Sequence, residues 1–144
     1  MSKHVLVPFD GSAAAEAAVN MVNEDFPDAS LTLLYVMEPM ADYSRHRSFP
    51  GYTEQDEFAN EREKGEHLLK SAQNFLDKDR TVTTELIAGS PARAIIDYAD
   101  GNDVDHIVIG SHGRSGLSRF LLGSTTETVV RRSAIPVTVI RPNE

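Results

Sequence analysis

Five short apolar runs, rich in β-branched residues, punctuate the chain, and between them apolar residues recur at helical spacing. The runs are Val5-Leu6-Val7, Leu31 to Val36, Val82 to Ile87, Ile107-Val108-Ile109 and Val137 to Ile140. Near-continuous apolar strands suit a parallel sheet covered on both faces. The third and fifth runs alternate more (Val82, Thr84 and Leu86 in the third), which predicts strands near a sheet edge or an interface.

The intervening segments read as helices. Ala13, Ala14, Ala17, Ala18, Met21 and Val22 form one stripe, with Ser12 before it as an N-cap. Leu68, Leu69, Ala72, Phe75 and Leu76 form a second, on a helix starting near Thr53, where Thr53 and Asp56 make a weak capping pair. Ser90-Pro91 is a cap followed by proline at the first helical position, and Ala92, Ile95, Ile96 and Ala99 give that helix its buried face. A last helix starts near Ser124 and ends before Ile135-Pro136, with Arg131 and Arg132 in its final turn, where positive charge complements the helix dipole. The order β-α-β-α-β-α-β-α-β predicts right-handed crossovers in one five-stranded parallel sheet with helices on both faces. That is a Rossmann-like α/β fold in a single domain, residues 1–144. The one long connection, Met37 to Tyr52, holds Tyr43, Arg45, His46, Arg47, Pro50 and Gly51, and connections of this length are often functional or mobile.

Composition narrows the classes. A chain of 144 residues, 40% hydrophobic and 25% charged, is an ordinary globular domain with room for a real core. It has no cysteine, which excludes disulfides and thiolate chemistry and is compatible with a reducing cytoplasm. The apolar run at the N-terminus is too short for a signal-peptide core, and no stretch approaches the ~20 residues of a membrane helix, so the expected setting is cytoplasmic, off the membrane. A net charge of −8, from 22 acids against 14 bases, disfavours nucleic acid. It leaves a single nucleotide open, because a local cradle of backbone N–H groups holds phosphate against the overall field. The acidity itself fits either ordinary solubility or a salt-rich source.

The chemistry concentrates after the fourth strand. Gly110-Ser111-His112-Gly113-Arg114-Ser115-Gly116 runs on to Gly123-Ser124-Thr125, which opens the last helix. Glycines at a strand's carboxyl end allow a tight turn and close approach to a ligand. A helix start with free N–H groups and flanking hydroxyls favours phosphate, and ligands of open α/β sheets bind at such carboxyl ends. No lysine stands beside the final serine, so the Walker pattern fails, and the glycine spacing is not that of the dinucleotide fingerprint. The competing structural reading makes these glycines the shape of a long loop, with Ser124 as an ordinary N-cap. Asp10 reads as a ligand or metal contact, or as half of an Asp-Gly turn with Gly11. His112 reads as a backbone contributor with its ring toward solvent rather than as an acid or base. Arg114 and Arg119 read as phosphate contacts or as solvated loop charges. The five histidines, His4, His46, His67, His106 and His112, form no metal-ligand pair in sequence.

Gly-x-x-Gly, nine residues, then Gly-Ser is similar to the nucleotide motif of the ATP-binding universal stress proteins. Val7 to Ser12 resembles that family's first strand and turn, Leu34-Tyr35-Val36 its second strand end, Gly89-Ser90-Pro91 its third βα turn, and Ile135 to Arg141 its closing strand. The resemblance spans the chain. It implies a fold of the adenine nucleotide alpha hydrolase kind, with Pro8, Phe9 and Asp10 lining an adenosine pocket. Val36 then flanks the base. Gly110, Ser111, His112, Gly113 and Arg114 hold ribose and phosphates, and Gly123, Ser124 and Thr125 take the terminal phosphates. It implies ATP or a related nucleotide (ADP or AMP) as ligand, with Mg²⁺ or Mn²⁺ accompanying it and no metal held by protein alone. It also implies a homodimer paired through the last strand, Val137 to Arg141, and a partner protein of unknown identity.

Three functions stand at this point. One is a nucleotide-dependent regulator of a stress response, with no catalytic residue. Another is a slow ATPase, for which the sequence offers no obvious base. The last is an interaction module without a nucleotide, using the loop from Tyr43 to Gly51.

Overall fold

The structure, a computed structural model, describes residues 3–38, 51, 53–113 and 121–142. Tyr43, Arg45, His46, Arg47, Pro50, Arg114 and Arg119 lie outside the described residues.

Strand β1 (His4–Pro8) leads into helix α1 (Ala13–Asp25), and β2 (Ser30–Met37) precedes α2 (Glu54–Gln73). Then come β3 (Val82–Ala88), α3 (Pro91–Gly101), β4 (His106–Gly110), α4 (Ser124–Arg132) and β5 (Val137–Ile140). All four strand pairings are parallel, and the sheet order is β3-β2-β1-β4-β5. The two strands that alternate in sequence, β3 and β5, are the two edges.

The sheet is covered on both faces, as its apolar strands require. One core joins Val5, Val7, Leu33 and Tyr35 to Ala18, Val19 and Val22 of α1 and Leu69 and Ala72 of α2. The other joins Leu6, Leu34, Ile107 and Ile109 to Ile95 and Ala99 of α3 and Val129 of α4.

Local choices explain how closely the helices sit. The Ser12 hydroxyl accepts the Ala15 N–H at 3.2 Å, so the expected cap of α1 forms. The small side chains of α1 let it lie so near β4 that a Cβ on Gly110 would stand 2.8 Å from the Ala14 carbonyl carbon. Gly65 does the same for α2: a Cβ there would meet Tyr35 and Leu86 ring and methyl carbons at 2.5 Å. The second stripe differs from expectation at its end. Helix α2 stops at Gln73, and Asn74, Phe75 and Leu76 donate to carbonyls three residues back. This tighter turn rotates Phe75 outward to 38% exposure while Leu76 stays buried.

Candidate functional site

From β1 the chain moves outward to β3 on one side, then crosses through α3 to β4 on the other. The connections leaving β1 and β4 therefore part to opposite faces. The crevice between their carboxyl ends is the switch point where open α/β sheets take ligands. A cleft of about 980 Å³ opens there.

Asp10 and Gly113 meet across this switch point. The Asp10 Oδ1 accepts the Ser12 N–H at 2.9 Å, closing the turn into α1. Its Oδ2 lies where a Cβ on Gly113 would come within 2.8 Å. Asp10 thus forms the turn expected of Asp-Gly and also lines the cleft. Gly11 beside it has φ of +83°, a conformation that costs other residues steric strain.

The far end of the loop is stitched back onto its start. Gly123 donates to the Ser111 carbonyl, and Ser111 donates to the Ile140 carbonyl, each at 2.8 Å. The Thr126 hydroxyl donates to the Gly110 carbonyl at 2.6 Å. These bonds fix the start of α4 against the end of β4. Its N-cap is Gly123, not Ser124, and it supplies no side-chain hydrogen bond. The structural reading of Ser124 as an ordinary cap is therefore set aside, because Ser124 is already helical. A helix start with no side-chain cap keeps first-turn N–H groups for a ligand or water.

Ten of the residues expected at the site line the cleft: Pro8, Phe9, Asp10, Val36, Gly110, His112, Gly113, Gly123, Ser124 and Thr125. Their roles differ. Phe9 is 3% exposed and belongs mainly to the core. Gly110 is glycine because α1 presses on it. Ser111 is buried in the stitching and does not line the cleft, and Arg114 lies outside the described residues. His112 is half-buried rather than turned to solvent, with its Nδ1 3.1 Å from the Ser111 hydroxyl.

The sequence reading missed the α2 wall. Glu61 and Lys64 line the cleft, as do Tyr35, Glu38, Pro91, Ile95 and Thr126. Glu61 stands seven residues before Leu68 on the stripe, so it shares the buried face, a signal that was present in the spacing. Among the described residues, no group of three or more His, Asp or Glu is arranged to hold a metal ion. Nor is any described helix long and apolar enough to cross a membrane.

A family model described as the universal stress protein family matches residues 1–141. The chain is 33% identical to universal stress protein YxiE of Bacillus subtilis, over 98% of this chain and 100% of that one. It superposes on the structure of protein MJ0577 of Methanocaldococcus jannaschii with TM-score 0.83 and 28% identity, covering 100% of this chain and 99% of that one. More distant structures share the fold: a universal stress protein of Archaeoglobus fulgidus in complex with dAMP and one of Arabidopsis thaliana with AMP bound. Their TM-scores are 0.63 and 0.65 and their identities 21% and 17%; they cover 97% and 98% of this chain, and 97% and 92% of their own lengths are matched.

Proposed function

The chain belongs to the universal stress protein family, and from that premise we propose that its cleft holds an adenine nucleotide, ATP foremost, as the signal of a stress-response regulator. The observation that carries this reading is the glycine-capped start of α4, with Ser124 and Thr125 in the wall of the cleft. Backbone N–H groups at a helix N-terminus favour phosphate. The rest of the wall suits a nucleoside. Pro8, Val36, Pro91, Ile95 and Ile109 offer an apolar bed for a base, and Asp10 offers a carboxylate for ribose hydroxyls or an accompanying Mg²⁺ or Mn²⁺. At about 980 Å³ the cleft lies at the upper end of the range for small-ligand sites, room for a triphosphate. The AMP and dAMP held by distant relatives belong to the same chemical class.

The site reads as one that holds rather than cleaves. Fast hydrolysis needs a positioned water and a base at the leaving phosphate. Asp10 already spends one oxygen on the Ser12 turn, and Glu61 is engaged by Tyr35. Slow turnover is the most this arrangement supports. A nucleotide that binds one conformation better than another shifts the population toward it, and a partner protein then reads that state in the cytoplasm. Homodimerisation through β5 completes the proposal.

Calorimetric titration with ATP tests it. The wild type binds, and Gly123→Val binds about tenfold more weakly or worse, because even a Cβ there would stand 3.1 Å from the His112 Cα. Equal affinity in both proteins, or binding in neither, overturns the reading.

A further inference from the structure

Helix α2 presents Glu61, Lys64 and Leu68 on one face, spaced three and four residues apart. Leu68 packs on the turn after β1: a Cβ on Gly11 would stand 2.8 Å from its Cδ2. Gly11 follows Asp10, whose carboxylate lies against Gly113 of the glycine loop. Leu68 therefore marks where α2 meets the loop end of the cleft. Lys64 is one turn along, about 6 Å of helix rise from Leu68. Both Lys64 and Glu61 line the cleft.

The pair they form is lopsided. The Glu61 side chain is 8% exposed and that of Lys64 39%, with Nζ and Oε2 3.7 Å apart. That separation exceeds hydrogen-bond length, so the ammonium spends no donor on Glu61. The carboxylate is instead anchored by the Tyr35 hydroxyl, which donates to Oε1 at 3.3 Å. Among the described lining residues, Asp10, Glu38 and Glu61 bring carboxylates and Lys64 the lone ammonium. Among the charged side chains of the described lining residues, only that ammonium attracts a polyphosphate, and it adds to the N–H groups at the start of α4. A loosely paired cation on a flexible stem is the group a stronger anion recruits.

We propose that Lys64 is a phosphate-binding side chain of this cleft, drawn off Glu61 by the incoming phosphates, and that it makes the site prefer nucleotides carrying more phosphate. This rests on the reading of the cleft as an adenine-nucleotide site and names the side chain that sets its phosphate preference.

Titrations of adenosine and ATP against the wild type and four variants test it. Lys64→Gln loses about tenfold or more for ATP and less than about twofold for adenosine, whereas Lys64→Arg retains most of the ATP affinity. Glu61→Gln, which removes the competing carboxylate and keeps a partner for Tyr35, binds ATP more tightly than wild type. The double variant Glu61→Gln/Lys64→Gln stays about tenfold weaker than Glu61→Gln alone. Thermal melts of each variant are compared with wild type, so that a loss of affinity is read only from folded protein. Unchanged ATP affinity in Lys64→Gln, or an equal loss for adenosine, overturns the proposal. So does a double variant that binds ATP as tightly as Glu61→Gln alone, which would assign the loss in Lys64→Gln to repulsion by a bared Glu61. Wild-type protein that binds no adenine nucleotide overturns the site reading itself; wild-type binding with an indifferent Lys64→Gln overturns only the role of Lys64.

Discussion

His106, at the start of β4, has its Nε2 2.7 Å from the Thr138 hydroxyl and its ring edge-on to Phe26 at 5.3 Å. Burial, and then the nearby Lys3 ammonium, push its pKa below the usual 6.5. The folded state therefore prefers the neutral ring, and the unfolded chain takes up the proton first as pH falls. The stability held by His106 is complete above 6.5 and drains as pH falls through the depressed folded value. Urea unfolding from about pH 7.5 down to about pH 5 should show a steeper loss in wild type than in His106→Gln; parallel curves would remove this role. Asp10 and Ser111 show what single residues revealed beforehand. Asp-Gly at a strand end offered a turn or a ligand contact; Asp10 makes the turn, and its other oxygen lies against Gly113 in the cleft wall. Ser111, one residue into the glycine loop, has its backbone taken by Gly123 and Ile140, partners 12 and 29 positions away that no local pattern specifies.

Helix α1 ends badly by its own sequence. Glu24 and Asp25 stand in its last turn, where a negative charge opposes the helix dipole, and that turn has no basic residue. The remedy comes from the turn before β3. The Arg80 guanidinium donates to the carbonyls of Val22 and Phe26, and to that of Ala29 at 3.1 Å. Burial lowers its pKa, while Asp77 and Asp28 raise it, and arginine stays charged throughout the working range. Arg80→Met should cost about 2 kcal/mol, lowering Tm by roughly 6–10 °C. Arg80→Lys should recover only part, since a single ammonium lacks the planar fork that serves several carbonyls. A drop below about 0.5 kcal/mol in Arg80→Met would show that α1 needs no outside cap. Element existence was legible because strand runs and helix stripes carry their own periods. Element ends were less so. Phe75 fitted the α2 stripe by spacing, and Ser90 takes the N-cap position but makes no side-chain cap hydrogen bond.

At the scale of the molecule, β5 is an edge strand whose four residues are all half-buried, with Val130 of the adjacent α4 44% exposed. An unpaired edge with apolar residues is a template for a second copy. Light scattering after gel filtration should give twice the 15.8 kDa chain mass at tens of micromolar; a monomer at that concentration would remove the proposed β5 interface. The sequence by itself determined the alternation of strands and helices, the parallel sheet, the edge character of β3 and β5, and the glycine loop at a strand's carboxyl end. Each of these is written in short-range periodicity and in residues with special backbone freedom. Tertiary structure alone decided that Asp10 faces Gly113 and that Arg80 caps α1. It also decided that α2 turns Glu61 and Lys64 into the cleft. Those are contacts between segments far apart in the chain, fixed by how closely helices can approach the sheet at Gly65 and Gly110. A pattern of three or four residues has no means of recording that distance.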